Sequence, residues 1–320
     1  MEYFLRKYRV EIIVVAGLAF LMFLVGFLSN RIDRLEELVG LTNAPTVVYE
    51  QLPQEDGPLP AISYDLPGQL TFAGEPVPLD RSDLREQIDK ELQINIYFHS
   101  NTIFLIKRAN EWLPQFEPIL KKHGIPDDFK YLPLIESGLL NVVSPANAVG
   151  FWQIVKSAGK ENGLEISREV DQRYDPIKSA EAACKYLKKA HAKFGNWTLV
   201  AASYNRGMSG LDRAIQKQKV DSYYDLFLNE ETSRYVFRIL AIKEIIENPQ
   251  RYGFKINPQH LYQKDSLRFV EVNSTIPDLV EFALQHGSNY KLLKRHNPWL
   301  RDDRLTVRKN EIYTIAFPAI

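Results

Sequence analysis

The segment LPLIESGLLNVVSPANAVGFWQIVKSAG, residues 132–159, places a single acid, Glu136, among apolar and small residues. A carboxyl group in such a setting tends to keep its proton, because burial disfavours the charged form. A proton held near neutral pH is what a general acid needs. The setting of Glu136 therefore indicates acid–base catalysis, and a hydrogen-bonded structural carboxyl group is the alternative.

Neutral hydrogen-bonding side chains occur in and beyond this segment: Ser144, Gln153, Tyr204 and Asn205. Hydroxyl and amide groups of this kind can orient a polyhydroxylated or amide-bearing ligand without adding charge. They can also steady a carboxyl group. Each of them taken alone is better explained as a satisfied buried group or a helix cap.

The composition excludes several classes of protein. The 40 Lys and Arg residues balance the 40 Asp and Glu residues, so the basic excess of a nucleic-acid-binding protein is missing. The single cysteine, Cys184, rules out an intrachain disulfide. The six histidines are scattered, and neither an HExxH nor a CxxC motif is present, so we predict no metal and no cofactor.

The first 30 residues have the pattern of a membrane anchor. Arg6, Lys7 and Arg9 precede an apolar run from Ile12 to Leu28, which is just long enough to cross a bilayer as a helix. The basic flank predicts a cytoplasmic N-terminus, with everything after the anchor outside the cytoplasm. A cleaved signal peptide is the alternative.

Three further regions follow the anchor. Residues 31–82 are rich in proline and glycine and predict an extended linker. Residues 83–265 show helical periodicity without a convincing strand before residue 250, so this domain is mostly α. Expected features include a Ser82 or Asp83 cap on its first helix and an Asp175 cap before Pro176. Residues 266–320 predict a small β-α-α-β module.

The helical region carries a family resemblance. In order, it contains the motifs GIPDDFKYLPLIESG, SPANAVGFWQI, ASYNRG and ETSRYV. They resemble lytic transglycosylases with a soluble-lysozyme-like (SLT) catalytic domain, of the membrane-bound lytic murein transglycosylase D type. The resemblance covers roughly residues 83–250 and implies a lysozyme-like helical fold. Asn147 stands where glycine is usual, and the segment between Glu136 and Ser144 is one residue short, which would reshape the cleft.

The C-terminal module resembles a divergent peptidoglycan-binding LysM module, through VEVNSTIPDLVEFALQHG, LLKRHNPWL and YTIAFP. Its turn at Lys309 and Asn310 departs from the usual glycine turn. The resemblance implies a glycan-binding fold, and a purely structural role is the alternative.

The resemblance also implies a role for each polar residue of the motifs. Glu136 would be the catalytic acid and base, and the other matched positions would bind substrate: Ser137, Ser144, Gln153, Tyr204, Asn205 and Tyr235. Trp152, beside Gln153, is the aromatic residue that we expect in the cleft wall.

The implied reaction is cleavage of the β-1,4 bond between N-acetylmuramic acid and N-acetylglucosamine, with a 1,6-anhydro product, in the periplasm. The partners would be peptidoglycan glycan strands and, through the N-terminal helix, the inner membrane, with no nucleic acid. Such chemistry needs one carboxyl group, whereas most glycosidases need two. A goose-type muramidase would need a second carboxylate, for which Asp171, Asp175 and Glu231 are candidates. A catalytically idle wall-binding scaffold is the other alternative.

Overall fold

The computed structural model describes residues 62–319, together with Met22 and Val25. The predicted anchor, apart from those two residues, and the first part of the predicted linker lie outside the described residues. Among the residues that are described, no helix has both the length and the apolar composition needed to cross a bilayer.

The described chain is mostly α, as the sequence predicts. Its helices are α1 (Ser82–Tyr97), α2 (His99–His123), α3 (Leu132–Ser137), α4 (Lys156–Glu161), α5 (Pro176–Phe194), α6 (Trp197–Arg206), α7 (Met208–Gln218), α8 (Glu230–Glu247), α9 (Leu279–Gln285) and α10 (Tyr290–His296). Its strands are β1 (Thr71–Phe72), β2 (Glu75–Pro76), β3 (Leu267–Val272) and β4 (Tyr313–Pro318). Short 3₁₀ turns connect several of the helices.

Local sequence signals explain where two of the long helices begin and end. The Asp175 carboxylate accepts hydrogen bonds from the amides of Ile177 and Lys178 at the start of α5, so the predicted cap is confirmed. Gly124 ends α2 in the left-handed conformation, with φ of 68°. The cap predicted for α1 is wrong: Ser82 is already helical, and the preceding Arg81 forms no side-chain capping bond.

Helix α8 lies at the centre of the helical domain. Its residues Tyr235, Val236, Phe237 and Ile239 are at most 1% exposed. It packs against α1, α3 and α6, so it links the element that carries Glu136 to the rest of the core. This burial on almost every face makes α8 the support on which the polar site is built.

The folded part begins earlier than the sequence predicts, inside the proline-rich linker. Strands β1 and β2 pair antiparallel, and the fully buried Phe72 packs edge-on against Phe129 with 5.1 Å between ring centroids. The Glu75 carboxylate accepts hydrogen bonds from the amides of Trp197 and Thr198, at 2.6 and 3.0 Å. An acid from the linker therefore stabilises the N-terminus of α6.

The C-terminal module has the predicted β-α-α-β order. Strands β3 and β4 pair antiparallel, with Leu267 opposite Pro318 and Val272 opposite Tyr313. The two short helices close over this pair. The module's core is formed by Val272, Ile276, Leu279, Ala283, Leu293, Trp299, Leu300, Leu305, Ile315 and Phe317, joined by Val170 from the helical domain.

Candidate active site

Glu136 lies near the end of the short helix α3. Pro133 occupies the first turn, where a missing amide hydrogen costs nothing. Leu134 and Ile135 are buried on the core side. Gly138, with φ of 63°, ends the helix immediately after Ser137. The helix is therefore just long enough to place one carboxyl group at the surface of the core.

The Glu136 carboxyl group is half-buried and has two polar neighbours on α8. The Tyr235 hydroxyl donates a hydrogen bond to Glu136 Oε1. Arg238 donates to the backbone oxygen of Ile135 at 2.7 Å. Burial raises the pKa of Glu136 to about 7, while the bond from Tyr235 and the charge of Arg238 lower it and the charge of Glu231 raises it. Burial outweighs the other effects, so the group holds a proton near neutral pH.

A cleft of about 560 Å³ opens in front of this carboxyl group. Its lining includes five of the sequence-predicted residues: Glu136, Ser144, Gln153, Tyr204 and Asn205. They come from α3, from α6 and from the loop between α3 and α4. The structure therefore brings together side chains that are spread over about 70 positions of the sequence.

The loop that carries Ser144 and Gln153 is fixed by its own hydrogen bonds. The Ser144 hydroxyl accepts from the Ala148 amide at 3.0 Å, and the Gln153 amide group donates to the Gly150 oxygen at 2.8 Å. Asn147, with φ of 59°, adopts the left-handed conformation, which asparagine tolerates better than most residues. The replacement of the usual glycine at this position is therefore compatible with the loop.

Tyr204 and Asn205 are held in place from outside α6. The Tyr204 hydroxyl donates to the Trp152 oxygen at 2.7 Å. The Asn205 amide group donates to Glu231 Oε1 and its oxygen accepts from Thr232, both at 2.7 Å. The amide orientation of Asn205 is thus set by the start of α8.

Ser137 and Tyr235 are not among the residues that line the cleft. The Ser137 hydroxyl donates to the oxygens of Pro133 and Phe151, at 3.1 and 2.8 Å. Tyr235 is 1% exposed and contacts the carboxyl group from the core side. Both residues support Glu136, and the substrate contacts predicted for them remain predictions.

The prediction for Trp152 is wrong. Its side chain is fully buried and packs edge-on against Phe116, with 5.3 Å between ring centroids. Its backbone oxygen contacts a residue of the cleft, because it accepts the hydrogen bond from Tyr204. The indole group is therefore part of the core beneath the cleft.

Several residues of the cleft were not predicted from the sequence, including Tyr186, Arg206 and Arg238. The spacing could have revealed Arg238, because it lies three residues after Tyr235 and hence on a neighbouring position of the same helix face. Tyr186 carries no such signal in the sequence. Its hydroxyl donates to the Ser203 oxygen at 2.7 Å.

The three candidates for a second carboxylate lie in different surroundings. Asp171 is buried and forms a salt bridge of 2.7 Å with Arg173. Asp175 caps α5. Glu231 alone of these three lines the cleft, where it accepts the hydrogen bond from Asn205.

Comparison with known families accounts for both folded regions. Residues 116–227 match the family described as the transglycosylase SLT domain. That match covers the middle of the helical domain, including Glu136, Ser144, Gln153, Tyr204 and Asn205. Residues 268–320 match the family described as the soluble lytic transglycosylase C-terminal LysM-like domain. Both resemblances that the motifs indicate are thereby confirmed.

Similar curated proteins extend the comparison beyond the SLT domain. The chain is 30% identical over 228 residues to the membrane-bound lytic murein transglycosylase D of Escherichia coli, in strain K12 and in strain CFT073. That match covers 69% of this chain but 49% of the relative, so the chain spans about half the length of these relatives. It is also 31% identical over 126 residues to a putative tributyltin chloride resistance protein of Alteromonas sp., which is 39% of this chain and 61% of that protein.

Proposed function

We propose that this protein is a peptidoglycan lytic transglycosylase. It would cleave the β-1,4 bond between N-acetylmuramic acid and N-acetylglucosamine and leave a 1,6-anhydro ring on the muramic acid. The observation that carries the proposal is the position of Glu136, a carboxyl group with a pKa of about 7 that lines the cleft and lies within the residues that match the SLT domain.

The first step uses the proton on Glu136. The carboxyl group donates it to the glycosidic oxygen while the bond from that oxygen to C1 of the muramic acid breaks. The pKa near 7 suits this step, because a general acid works best when its pKa is close to the working pH. The acetamido oxygen of the substrate would assist at C1, in the place of a second carboxylate.

The second step returns the proton. The muramic acid 6-hydroxyl attacks C1 and its proton passes to the Glu136 carboxylate, so the enzyme is restored without consuming water. The hydrogen bond from Tyr235 stabilises the carboxylate formed between the two steps. Ser144, Gln153, Tyr204 and Asn205 supply the neutral hydrogen-bonding groups that would orient the sugars.

We further propose that residues 1–30 anchor the enzyme in the inner membrane and that the catalytic domain lies in the periplasm. The basic residues before the apolar run support this orientation. Membrane fractionation and added protease on spheroplasts test it. A full-length protein that stays with the membrane and is cleaved from outside agrees with the proposal, and a shortened soluble form indicates a cleaved signal peptide.

The test of the reaction is mass spectrometry of the products released from purified sacculi by the full-length protein, beside a Glu136→Gln control. Products lighter by one water than hydrolysed fragments, and absent with the control, establish the transglycosylase. Reducing-end products of full mass indicate a hydrolase, with Glu231 as the carboxylate positioned to act as its base. Binding to sacculi without any release indicates a scaffold.

A further inference from the structure

A second cavity, of about 350 Å³, borders Glu136 and is not used by the mechanism above. It shares Ile135, Glu136 and Arg238 with the catalytic cleft. The two spaces therefore meet at the catalytic carboxyl group. We call the second one the arginine pocket, since its lining includes Arg108 and Arg238.

Each of the two arginines uses only part of its hydrogen-bonding capacity. Arg108 donates to the Gly138 oxygen at 3.1 Å, and Arg238 donates to the Ile135 oxygen at 2.7 Å. A guanidinium group carries five N–H donors, so one backbone acceptor each leaves most of them unused. Within residues 62–319 neither arginine forms a salt bridge, whereas Arg173 and Arg234 both do.

Both side chains are held in position although they are only half-buried. The guanidinium of Arg108 lies over the ring of Phe104, at 5.6 Å from its centroid. Arg238 is fixed to the backbone of α3 by its bond to Ile135. Two fixed guanidinium groups that form no salt bridge among the described residues make the pocket attractive to an anion.

The rim of the arginine pocket is apolar. Leu140 and Val142 line it and remain 42% and 41% exposed. Asn95 and Asn101 add amide groups to the lining. A positive pocket with apolar and amide walls suits a short peptide or lactyl group that ends in a carboxylate, more than it suits an uncharged sugar ring.

We propose that the arginine pocket binds a carboxylate on the 3-O-substituent of a muramic acid residue next to the cleaved bond. This inference rests on the proposed function, because it assigns a part of the same substrate to the space beside Glu136. The carboxylate belongs either to the peptide stem or, where the stem has been removed, to the free lactyl group. Arg108 is then a specificity-determining residue for charged substrates.

The experiment compares Arg108→Gln with two other variants of the full-length protein. Lys107→Gln is the matched control: it removes the same charge from the neighbouring position of α2, and Lys107 is not part of the pocket lining. Arg108→Lys keeps the charge but not the paired geometry of a guanidinium. Each variant is also made in a Glu136→Gln background, so that binding can be measured without turnover.

Three soluble glycan preparations separate the sources of the carboxylate. The first carries peptide stems, the second is stripped of stems and has free lactyl carboxylates, and the third is stripped and has its lactyl groups amidated. Initial rates give kcat and KM, and fluorescence anisotropy of end-labelled glycan gives Kd.

Arg108→Gln is expected to weaken binding by about 10- to 100-fold, as for the loss of a charged hydrogen-bonded partner. The variant should have a higher KM and a higher Kd, with kcat nearly unchanged. It should affect carboxylated glycan and spare the amidated preparation, and Arg108→Lys should restore part of it. A loss with stem-bearing glycan alone assigns the stem carboxylate, and a loss with stripped glycan alone assigns the lactyl group.

An equal loss on all three preparations, or a loss with Lys107→Gln of the same size, overturns the proposal. So does unchanged binding of every preparation by Arg108→Gln. Failure of the proposed function has a different result: wild-type protein releases nothing from any preparation, while the binding measurements still decide what the arginine pocket recognises.

Discussion

The helical domain and the C-terminal module differ in the size of their hydrophobic cores. The helical core is large enough to bury α8 on almost every face and still place the Glu136 carboxyl group at a cleft. The module has a small core, and that core is completed by Val170, which is 2% exposed and comes from the helical domain. Because a module of this size buries little apolar surface by itself, we expect part of its stability to come from its neighbour.

The borrowed residue belongs to a loop, residues 165–174, which we call the docking loop. Its backbone bonds to the module at two points: the Asp171 amide donates to the Trp299 oxygen at 2.9 Å, and the Arg301 amide donates to the Glu169 oxygen at 2.8 Å. The Glu169 carboxylate also accepts from Arg304 at 2.8 Å. The docking loop therefore holds the module through both backbone and side-chain bonds.

The docking loop also contacts the loop that lines the cleft beside Glu136. Arg173, paired with Asp171, donates to the oxygens of Asn147 and Ile154 at 3.1 and 3.3 Å. Those two residues lie in the loop that carries Ser144 and Gln153. The close packing continues at Gly150, where an added Cβ would lie 2.0 Å from the Arg173 oxygen. The docking loop therefore contacts both the module and one wall of the cleft.

Replacement of Glu136, the proposed general acid, should have the largest effect on activity and should show that the chemistry belongs to the helical domain. In Glu136→Gln we expect product release to fall by about 100- to 10,000-fold, the usual contribution of a general acid. The amide keeps the size of the side chain and can still accept from Tyr235. Release assays with purified sacculi measure the loss, and unchanged circular dichroism shows that the fold is kept.

A release rate in Glu136→Gln within about threefold of wild type would contradict that assignment, because acid catalysis normally contributes far more. A module variant with a comparable loss would instead move part of the chemistry out of the helical domain. Such a result would show that the chemistry does not belong to the helical domain alone.

The largest effect on stability is expected at the connection between the two regions. Arg173→Gln leaves the buried Asp171 carboxylate without its partner, and Asp171 is 7% exposed. Removing one partner of a buried ion pair costs about 3–5 kcal/mol. Urea denaturation of the full chain should show a loss of this size in the free energy of unfolding.

The matched control is Arg168→Gln, on the same docking loop. Arg168 pairs with Asp302 across to the module, but its side chain is 90% exposed. An exposed pair of this kind contributes at most about 1 kcal/mol. Equal losses in the two variants would show that the Asp171–Arg173 pair has no special place in the connection.

Truncation of the borrowed core residue should have a smaller effect, directed at the module. Val170→Ala removes two methyl groups from the small core, which we expect to cost about 1.5 kcal/mol. Hydrogen exchange should increase across residues 268–319 and along the docking loop, more than in α8. Val280→Ala is the control, since Val280 is 42% exposed on the same module. Unchanged exchange in Val170→Ala would mean that the module folds without its neighbour.

The sequence predicts the parts of this architecture that depend on local patterns. The Asp175 cap of α5, the Gly124 stop of α2 and the β-α-α-β order of the module follow from residues next to one another in the chain. The Pro-rich stretch before α1 misleads, because its composition resembles a linker while Phe72 and Glu75 make long-range contacts. Val170 misleads in the same way: it stands among charged residues, and its burial depends on a module about 100 positions later.

The residues of the candidate site also fall into those that local motifs predict and those that depend on long-range packing. Motif order identifies Glu136, Ser144, Gln153, Tyr204 and Asn205, and all five line the cleft. The packing of α8 against α3 decides which residues line the cleft and which lie behind it. It also places the Tyr235 hydroxyl against the Glu136 carboxyl group. No local pattern carries that information. The burial of Trp152 likewise depends on a long-range contact, with Phe116 of α2.

The smallest expected effects are shifts in the pH profile, and they test whether the helical domain alone sets the pKa of Glu136. The Tyr235 hydroxyl lowers that pKa by stabilising the carboxylate, so Tyr235→Phe should raise it. The charge of Glu231 raises it, so Glu231→Gln should lower it. A general acid works in its protonated form, so activity is lost as the pH rises through this pKa.

The alkaline limb of kcat/KM should therefore move to higher pH in Tyr235→Phe and to lower pH in Glu231→Gln. Val170→Ala should leave the limb in place, because it changes the module and not the charges near the acid. If the alkaline limb moved in the same direction in both variants, the two substitutions would act through the fold and not through the pKa of Glu136. Loss of all product release in Glu231→Gln would instead give that carboxylate a direct part in the reaction, as a hydrolytic base requires.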